Sequence, residues 1–306
     1  MIFDLHADIG DDLFVYQDGE RLDNYHAPKL KKGNFSGVCM ASFFVGKEDW
    51  QRMLDEVTFL RNSLDESKEF DLVLNTDDVA KEGLKALMSL EGMCGISEDV
   101  EEKIQVMHDL GIRMGSLTWN DENALATGAK GNPEHGLSEL GERLIGKMNE
   151  LKMIVDVSHA NEKTFWDIMK MNPRAVVATH SNAYALCDHY RNLKDEQLME
   201  IKKRDGLVGM NAARYFVSRN SEEQTVLMLA KHARYIADLI GVEHVACGFD
   251  FMDFCEGGED AVIEGLGNAS QGNQYIAALH EVGFNDEEVK LICGGNFERF
   301  LKKYLD

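Results

Sequence analysis

The sequence predicts an α/β fold, a TIM-like (β/α)8 barrel, and three observations carry that expectation. Eight short apolar, β-rich runs recur along the chain, and the segments between them repeat apolar residues at helical spacing. The runs are apolar on both faces, as parallel strands covered by helices must be. Their polar residues collect at the carboxyl ends, where the loops of a parallel barrel converge. At 306 residues the chain fits one such domain. No composition shift, Pro/Gly/Ser linker or internal repeat divides it beyond the βα alternation, so residues 1–306 read as a single barrel domain.

In chain order the expected strands are Ile2 to His6, Gly37 to Val45, Ala86 to Leu90, Ile112 to Thr118, Met153 to Ser158, Ala175 to Thr179, Leu207 to Met210 and His244 to Phe249. The helices between them announce themselves by stripes and caps. Trp50, Met53, Leu54, Val57 and Leu60 form a stripe within residues 47–68, read as core packing. Ser97 precedes Val100, Ile104, Met107 and Leu110, and Gly111 follows as a stop signal. Ser138 precedes Leu140, Leu144, Ile145, Met148 and Leu151. Ser221 and Gln224 match a capping box ahead of Val226, Leu229, Ala233, Ile236, Ala237 and Ile240, and Gly241 closes that helix.

Composition narrows the function classes. With 44% hydrophobic and 28% charged residues and only 3 prolines, the chain is globular rather than disordered. Its 32 basic and 54 acidic residues leave a formal charge of −22, which repels phosphate backbones and anionic membrane surfaces. Neither nucleic acid nor a membrane is therefore an expected partner. Six cysteines, at 39, 94, 187, 247, 255 and 293, are widely spaced without a C-x-x-C pair, and they read as reduced thiols. No apolar run approaches a membrane span, and the N-terminus opens directly on a strand, so a cytoplasmic location is expected.

The chemistry sits at the strand ends. His6 and Asp8 lie two apart at the end of the first run, and side chains at i and i+2 of a strand leave it on the same side. Glu91 ends the third run, His159 the fifth, His180 the sixth and Asp250 the eighth. Each has a bland alternative, since a histidine after a buried strand can cap a helix and an aspartate can serve a turn. Jointly, three histidines, two aspartates and one glutamate exceed a single tetrahedral zinc and suit two ions sharing a carboxylate. Two divalent cations about 3.5 to 4 Å apart would bring a bridging water to a near-neutral pKa and hold hydroxide as nucleophile. Hydrolysis of a carbonyl compound is the expected reaction class.

The segments Phe3-Asp4-Leu5-His6-Ala7-Asp8, Ser89-Leu90-Glu91-Gly92, Asp156-Val157-Ser158-His159, Thr179-His180-Ser181-Asn182-Ala183, Arg191-Asn192-Leu193 and Gly294-Gly295-Asn296-Phe297 resemble the membrane (renal) dipeptidase family of metallopeptidases. Gly136-Leu137-Ser138 resembles it too, and the likeness runs from residue 2 to about residue 300. The resemblance implies a barrel of the metal-dependent hydrolase type, similar to the amidohydrolases, that cleaves dipeptides, in several members those with a D-residue at the carboxyl end. It implies that His6, Asp8 and Asp250 hold a first zinc, that His159 and His180 hold a second, and that Glu91 bridges both. It further implies that Asp250 carries the proton from water to the leaving amine and that Arg191 receives the substrate carboxylate. On spacing alone, Arg191 could equally pair with Asp188 or Asp195.

The chain departs from the family pattern in two segments. Trp119, in Leu117-Thr118-Trp119-Asn120, stands where mammalian members carry a histidine thought to contact the scissile carbonyl, and it is expected to contact substrate. His135, in the following loop, is read as solvent-exposed. Met210-Asn211-Ala212-Ala213-Arg214 replaces a more aromatic segment; Asn211 is expected to contact substrate and Arg214 to meet an acidic side chain. The secretory leader and lipid-anchor signal of mammalian members are not seen, so a soluble form is expected. The expected activity is a dipeptidase using two divalent cations, with zinc as the metal. The alternative is another binuclear-metal amidohydrolase, such as an N-acyl amino acid deacylase or a lactonase. Oligomeric state is not legible, although barrels of this kind often pair as homodimers.

Overall fold

In the computed structural model, which describes residues 1–255 and 257–306, nine strands lie in one parallel sheet. They are β1 (Ile2–Ala7), β2 (Phe35–Phe43), β3 (Phe70–Leu72), β4 (Leu84–Glu91), β5 (Ile112–Ser116), β6 (Ile154–Asp156), β7 (Val176–Ala178), β8 (Leu207–Met210) and β9 (Val245–Cys247). Eight of them close on themselves. β1 pairs with β2 and β9, β2 pairs with β4, and β4 to β9 follow in chain order, which makes the expected (β/α)8 barrel.

The ninth strand, β3, has no counterpart among the expected runs. It pairs Phe70, Asp71 and Leu72 with Leu84, Lys85 and Ala86. β5 joins β4 only from Met88 onward, so the lower part of that edge is open, and β3 covers it. A three-residue strand with one partner leaves almost no periodic trace in sequence.

Alternation of side chains builds two apolar layers. Phe3, Leu5, Cys39, Leu87, Met114, Ile154, Val177, Leu207 and Ala246, drawn from all eight barrel strands, belong to one buried cluster. The C-terminal helix Asn296–Tyr304 joins it through Phe297, Phe300, Leu301 and Tyr304 and so plugs the barrel, with Phe297 edge-on to Phe3 at 5.0 Å between ring centres. The alternate residues, such as Val38, Met40, Met88, Val155 and Val208, pack outward against the helices. All six cysteines are free thiols.

The helix signals hold with two shifts. Asp49 caps the helix Trp50–Glu66, which buries Met53, Val57 and Leu60, and Ser138 caps Glu139–Glu150 through its bond from the Gly141 N–H. Gly111 and Gly241 follow their helices at φ +112° and +102°, where a side chain would be strained. The helix after Ser97 starts only at Val100, with Asp99 at its cap. Ser221 does not cap the helix Val226–Ile240: it begins a separate 3-10 turn, and the Thr225 hydroxyl, one residue from the helix, accepts from the Met228 N–H instead.

Candidate active site

β1 is irregular where it matters. Asp4 pairs with Val38 and Ala7 with Met40, so three steps on β1 match two on β2, and the extra residue bends the strand around Leu5 and His6. The His6 N–H freed by this bulge donates to the Asp4 carboxylate, which also takes the Phe249 N–H from the loop after β9. Burial pushes the Asp4 carboxyl up to about 7, although those two N–H groups pull it down. Asp4 thus ties the first and last strands together directly beneath the site.

Above it, His6, Asp8 and Asp250 converge. The His6 Nε2 lies 3.3 Å from Asp8 Oδ1, 3.4 Å from Glu91 Oε2 and 3.9 Å from Asp250 Oδ1. Asp8 is the N-cap of the helix Ile9–Tyr16 but makes no capping bond, and its Oδ1 and the His6 Nε2 are buried without hydrogen-bond partners. Burial and the neighbouring Glu91 charge raise the Asp8 pKa well above the usual carboxylate range. Asp250 stands at φ +58°, a left-handed conformation that aims its carboxylate back into the barrel mouth.

The other half of the cluster gathers on the opposite oxygen of Glu91. The Nε2 atoms of His159 and His180 lie 2.5 and 3.4 Å from Glu91 Oε1 and 2.9 Å from each other. Their Nδ1 atoms face acceptors: His159 meets Asn120 Oδ1 at 3.3 Å and His180 meets Thr179 Oγ1 at 2.7 Å. The Thr179 hydroxyl donates its one hydrogen to Asp156 Oδ2 at 2.6 Å, so it can only accept from His180. Both imidazoles therefore carry Nδ1–H and present Nε2 lone pairs. Two such lone pairs within hydrogen-bond distance beside a carboxylate, with no hydrogen between them, describe donors arranged for a cation. Burial lowers both imidazoles to about 4, helped by the charge of Arg191 at His159 and of His6 at His180. Asp156 stays below its usual range, because His180, Thr179 and Ser158 outweigh the effect of its burial.

Gly209 and Gly248 make room for this half. A Cβ at either position would collide with the Thr179 carbonyl, so a side chain there would displace the residue next to His180.

The remaining expected site residues fall out as follows. Arg191 is 3% exposed, and its Nε, Nη1 and Nη2 lack hydrogen-bond partners among the described residues. The surface ion pair is ruled out for it, since Asp188 is held by Arg219 at 3.1 Å and Asp195 accepts from the Tyr235 hydroxyl. Its charge is felt by His159 and His180, and it feels those of Glu91 and Asp250. Trp119 is half-buried, 6.2 Å from the His159 ring and edge-on to Phe43 at 5.3 Å. His135 is exposed and pairs with Glu122, as expected. Arg214 turns over its neighbour Tyr215, at 5.0 Å from the ring.

Asn211 lies behind Asp250. It is 0% exposed and its amide donates to Asp250 Oδ2 at 3.1 Å while its oxygen takes the Ala213 N–H at 2.6 Å. Its polar atoms are thus engaged inside the protein, with the amide against the Asp250 carboxylate. Sequence reading also passed over Asp4, Asn120, Asp156 and Thr179 as supports. Their signal was present in part, as polar residues inside otherwise apolar runs.

A family model described as membrane dipeptidase (peptidase family M19) matches residues 2–305. The dipeptidase aclJ of Aspergillus oryzae is 32% identical over 221 residues, which cover 71% of this chain and 51% of that protein. The dipeptidase tcpJ of Claviceps purpurea is 31% identical over 225 residues, 72% of this chain and 51% of the relative. The chain thus spans about half the length of these two fungal relatives. Among solved structures, a dipeptidase of metallopeptidase family M19 superposes with a TM-score of 0.86 at 25% identity, covering 99% of this chain and 98% of that one. A metallopeptidase from Rhodobacter sphaeroides, solved with a phosphinate mimic of the dipeptide L-Ala-D-Ala, has the same fold, with a TM-score of 0.83, 22% identity and 99% of both chains covered. By the extent of that family match and the fungal relatives, the chain belongs to the membrane dipeptidase family, peptidase family M19.

Proposed function

We propose that this protein is a metal-dependent dipeptidase that hydrolyses the peptide bond of dipeptides, L-Xaa-D-Xaa among them, using two zinc ions. The observation that carries the reading is Arg191, a buried guanidinium with no hydrogen-bond partner among the described residues, beside a cluster of imidazoles and carboxylates. An unpaired buried cation is costly, and a carboxylate gripped by two parallel N–H bonds is its best complement. A dipeptide brings its terminal carboxylate within one residue of the scissile bond, and so can meet both features at once.

Imidazole and carboxylate donors suit zinc. The grouping of His6, Asp8 and Asp250 supports them as the holders of one ion, and the contacts of His159 and His180 with Glu91 support these two as the holders of the other, with Glu91 shared. Such a pair, when bound, supplies Lewis acidity at the scissile carbonyl and brings the pKa of water to about 7.

The chain's own groups do the rest. Arg191 receives the terminal carboxylate and sets the register of the substrate. Asp250, steadied by Asn211, takes the proton from the attacking water as the new C–O bond forms, then gives it to the nitrogen as the C–N bond breaks. Trp119, flanked by Phe43 and His159, forms an aromatic wall of the pocket. Since tryptophan stands where mammalian members have histidine, oxyanion stabilisation falls mainly to the metal site.

A matrix of L-Xaa-L-Xaa and L-Xaa-D-Xaa dipeptides, with their N-acetylated forms, tests the reading on zinc-loaded protein. Turnover of free-amine dipeptides is expected, with Asp250→Asn retaining substantial zinc but losing most of kcat. Cleavage of the N-acetylated series alone would move the assignment to a deacylase. Full activity in Asp250→Asn would remove its proton-carrying role.

A further inference from the structure

Asn182 follows His180 by two residues, in a segment where β7 has already ended at Ala178. It is 0% exposed, and every polar group it owns is engaged by one of two loops. On one side, its oxygen Oδ1 accepts the Asn211 N–H at 3.0 Å and its amide donates to the Asn211 carbonyl at 2.9 Å. On the other, its own N–H donates to Asn192 Oδ1 at 3.2 Å, and its carbonyl accepts the Leu193 N–H at 2.8 Å.

The first pair is a ladder made by a side chain. β8 stops at Met210, and beyond it the Asn182 amide answers the N–H and carbonyl of Asn211 as a neighbouring peptide group would. Asn211 in turn donates to Asp250 Oδ2. The second pair grips the residues that directly follow Arg191, and Asn192 extends the grip by donating to the carbonyls of Cys187 and Phe216 at 2.9 and 2.8 Å. Arg191 and Asp250 come from loops 59 positions apart in sequence (250 − 191), and one buried asparagine spans them.

We infer that Asn182 is a positioning residue that holds the arginine receiving the substrate carboxylate and the aspartate carrying the proton in one register. The contacts stand by themselves; the roles of Arg191 and Asp250 rest on the dipeptidase reading above. Among the described residues Arg191 makes no side-chain hydrogen bond of its own, so its place depends on the backbone that Asn182 secures. A shift there would move the substrate relative to Asp250 even with every metal donor in place.

The test compares Asn182→Ala with Asn296→Ala in the zinc-loaded protein. Asn296 is equally buried and ties the Val242 and Val245 carbonyls at the opposite end of the barrel, so it reports loss of a structural asparagine alone. Two readouts are taken: amide exchange in segments 190–193 and 249–251, and kcat/KM on L-Ala-D-Ala relative to its C-terminal amide. Asn182→Ala should loosen both segments together, lower kcat/KM on the dipeptide about 10- to 100-fold, and erase most of its preference over the amide. Asn296→Ala should lower the melting temperature without moving either. Loosening of one segment without the other, or an equal loss on dipeptide and amide, overturns the inference. If the wild-type protein turns over no dipeptide, the functional reading fails, and joint or separate loosening still decides this one. Should Asn182→Ala not fold, Asn182→Asp keeps the acceptor for the Asn211 N–H, loses the donor, and is judged by the same outcomes.

Discussion

On the β6–β7 side of the site each imidazole is anchored from behind, His159 by Asn120 and His180 by Thr179 and Asp156, whereas on the β1 side His6 and Asp8 face each other with unpartnered polar atoms. The first half is aimed by side chains on neighbouring loops. The second is aimed mainly by backbone: a bulge turns His6, a helix start presents Asp8, and a left-handed φ presents Asp250, with the Asp4 carboxylate on the His6 N–H and the Asn211 amide on Asp250 as side-chain additions. Glu91, the last residue of β4, reaches both halves through its two carboxylate oxygens, and the His6 and His180 rings also meet across them at 3.9 Å between centres. The difference teaches that one cluster can be preorganised in two ways, and the two should fail differently under substitution.

The largest effect is expected where the halves meet. Glu91→Gln removes the charge that both halves share, and kcat/KM should fall by roughly four orders of magnitude, the equivalent of about 5.5 kcal/mol. Metal analysis should show fewer than two zinc ions per chain. Full zinc content together with wild-type turnover would show that the halves are not joined through Glu91.

A smaller effect separates the two means of support. Thr179→Val strips the hydroxyl that accepts from His180 and leaves the Asp156 carboxylate short of a partner, so kcat/KM or zinc affinity should drop about 10- to 100-fold. Asp4→Asn keeps an oxygen for the N–H groups of His6 and Phe249, and it should change activity by no more than about threefold, since either form of the side chain can accept. Equal losses in the two variants would erase the distinction between side-chain and backbone support.

The smallest effect concerns acid. His232, on the helix Val226–Ile240, accepts the Ala183 N–H and donates to the Val217 carbonyl at 2.8 Å, bracing the segment that follows His180. Burial pushes its pKa down to about 4. An unfolded imidazole titrates at about 6.5, so between those values the unfolded chain binds more protons and stability declines as pH falls. The contribution is about 3 kcal/mol, present above pH 6.5 and lost on the way to pH 4. Urea unfolding at about pH 7 and about pH 4.5 should give His232→Gln a shallower pH dependence than the wild type. Identical slopes would show that this histidine does not brace the β7 side.

Much of this architecture is legible in sequence because it rests on local rules. Parallel strands buried on both faces must be apolar, and all eight expected runs overlap the barrel strands, Leu207–Met210 to the residue. The metal-competent residues were found because loops converge only at the carboxyl ends of strands. β3 was missed because a three-residue strand paired on one edge has no pattern to show. The hydrogen bonds of Asn211 were not legible, because an asparagine at a strand end has the same sequence appearance whether it faces the pocket or the protein. Only the Asp250 carboxylate beside it tells which.

By itself, then, the sequence determined the barrel and pointed to six candidate ligands and the arginine, since periodicity and chemical type are properties of the residues. Tertiary structure alone decided that Glu91 contacts both His6 and His159, that Arg191 has no hydrogen-bond partner among the described residues, and that Asn182 joins two loops. Those are relations between residues distant in the chain. The contacts of His6 and Asp8 with Asp250 in particular exist only once β1 lies against β9.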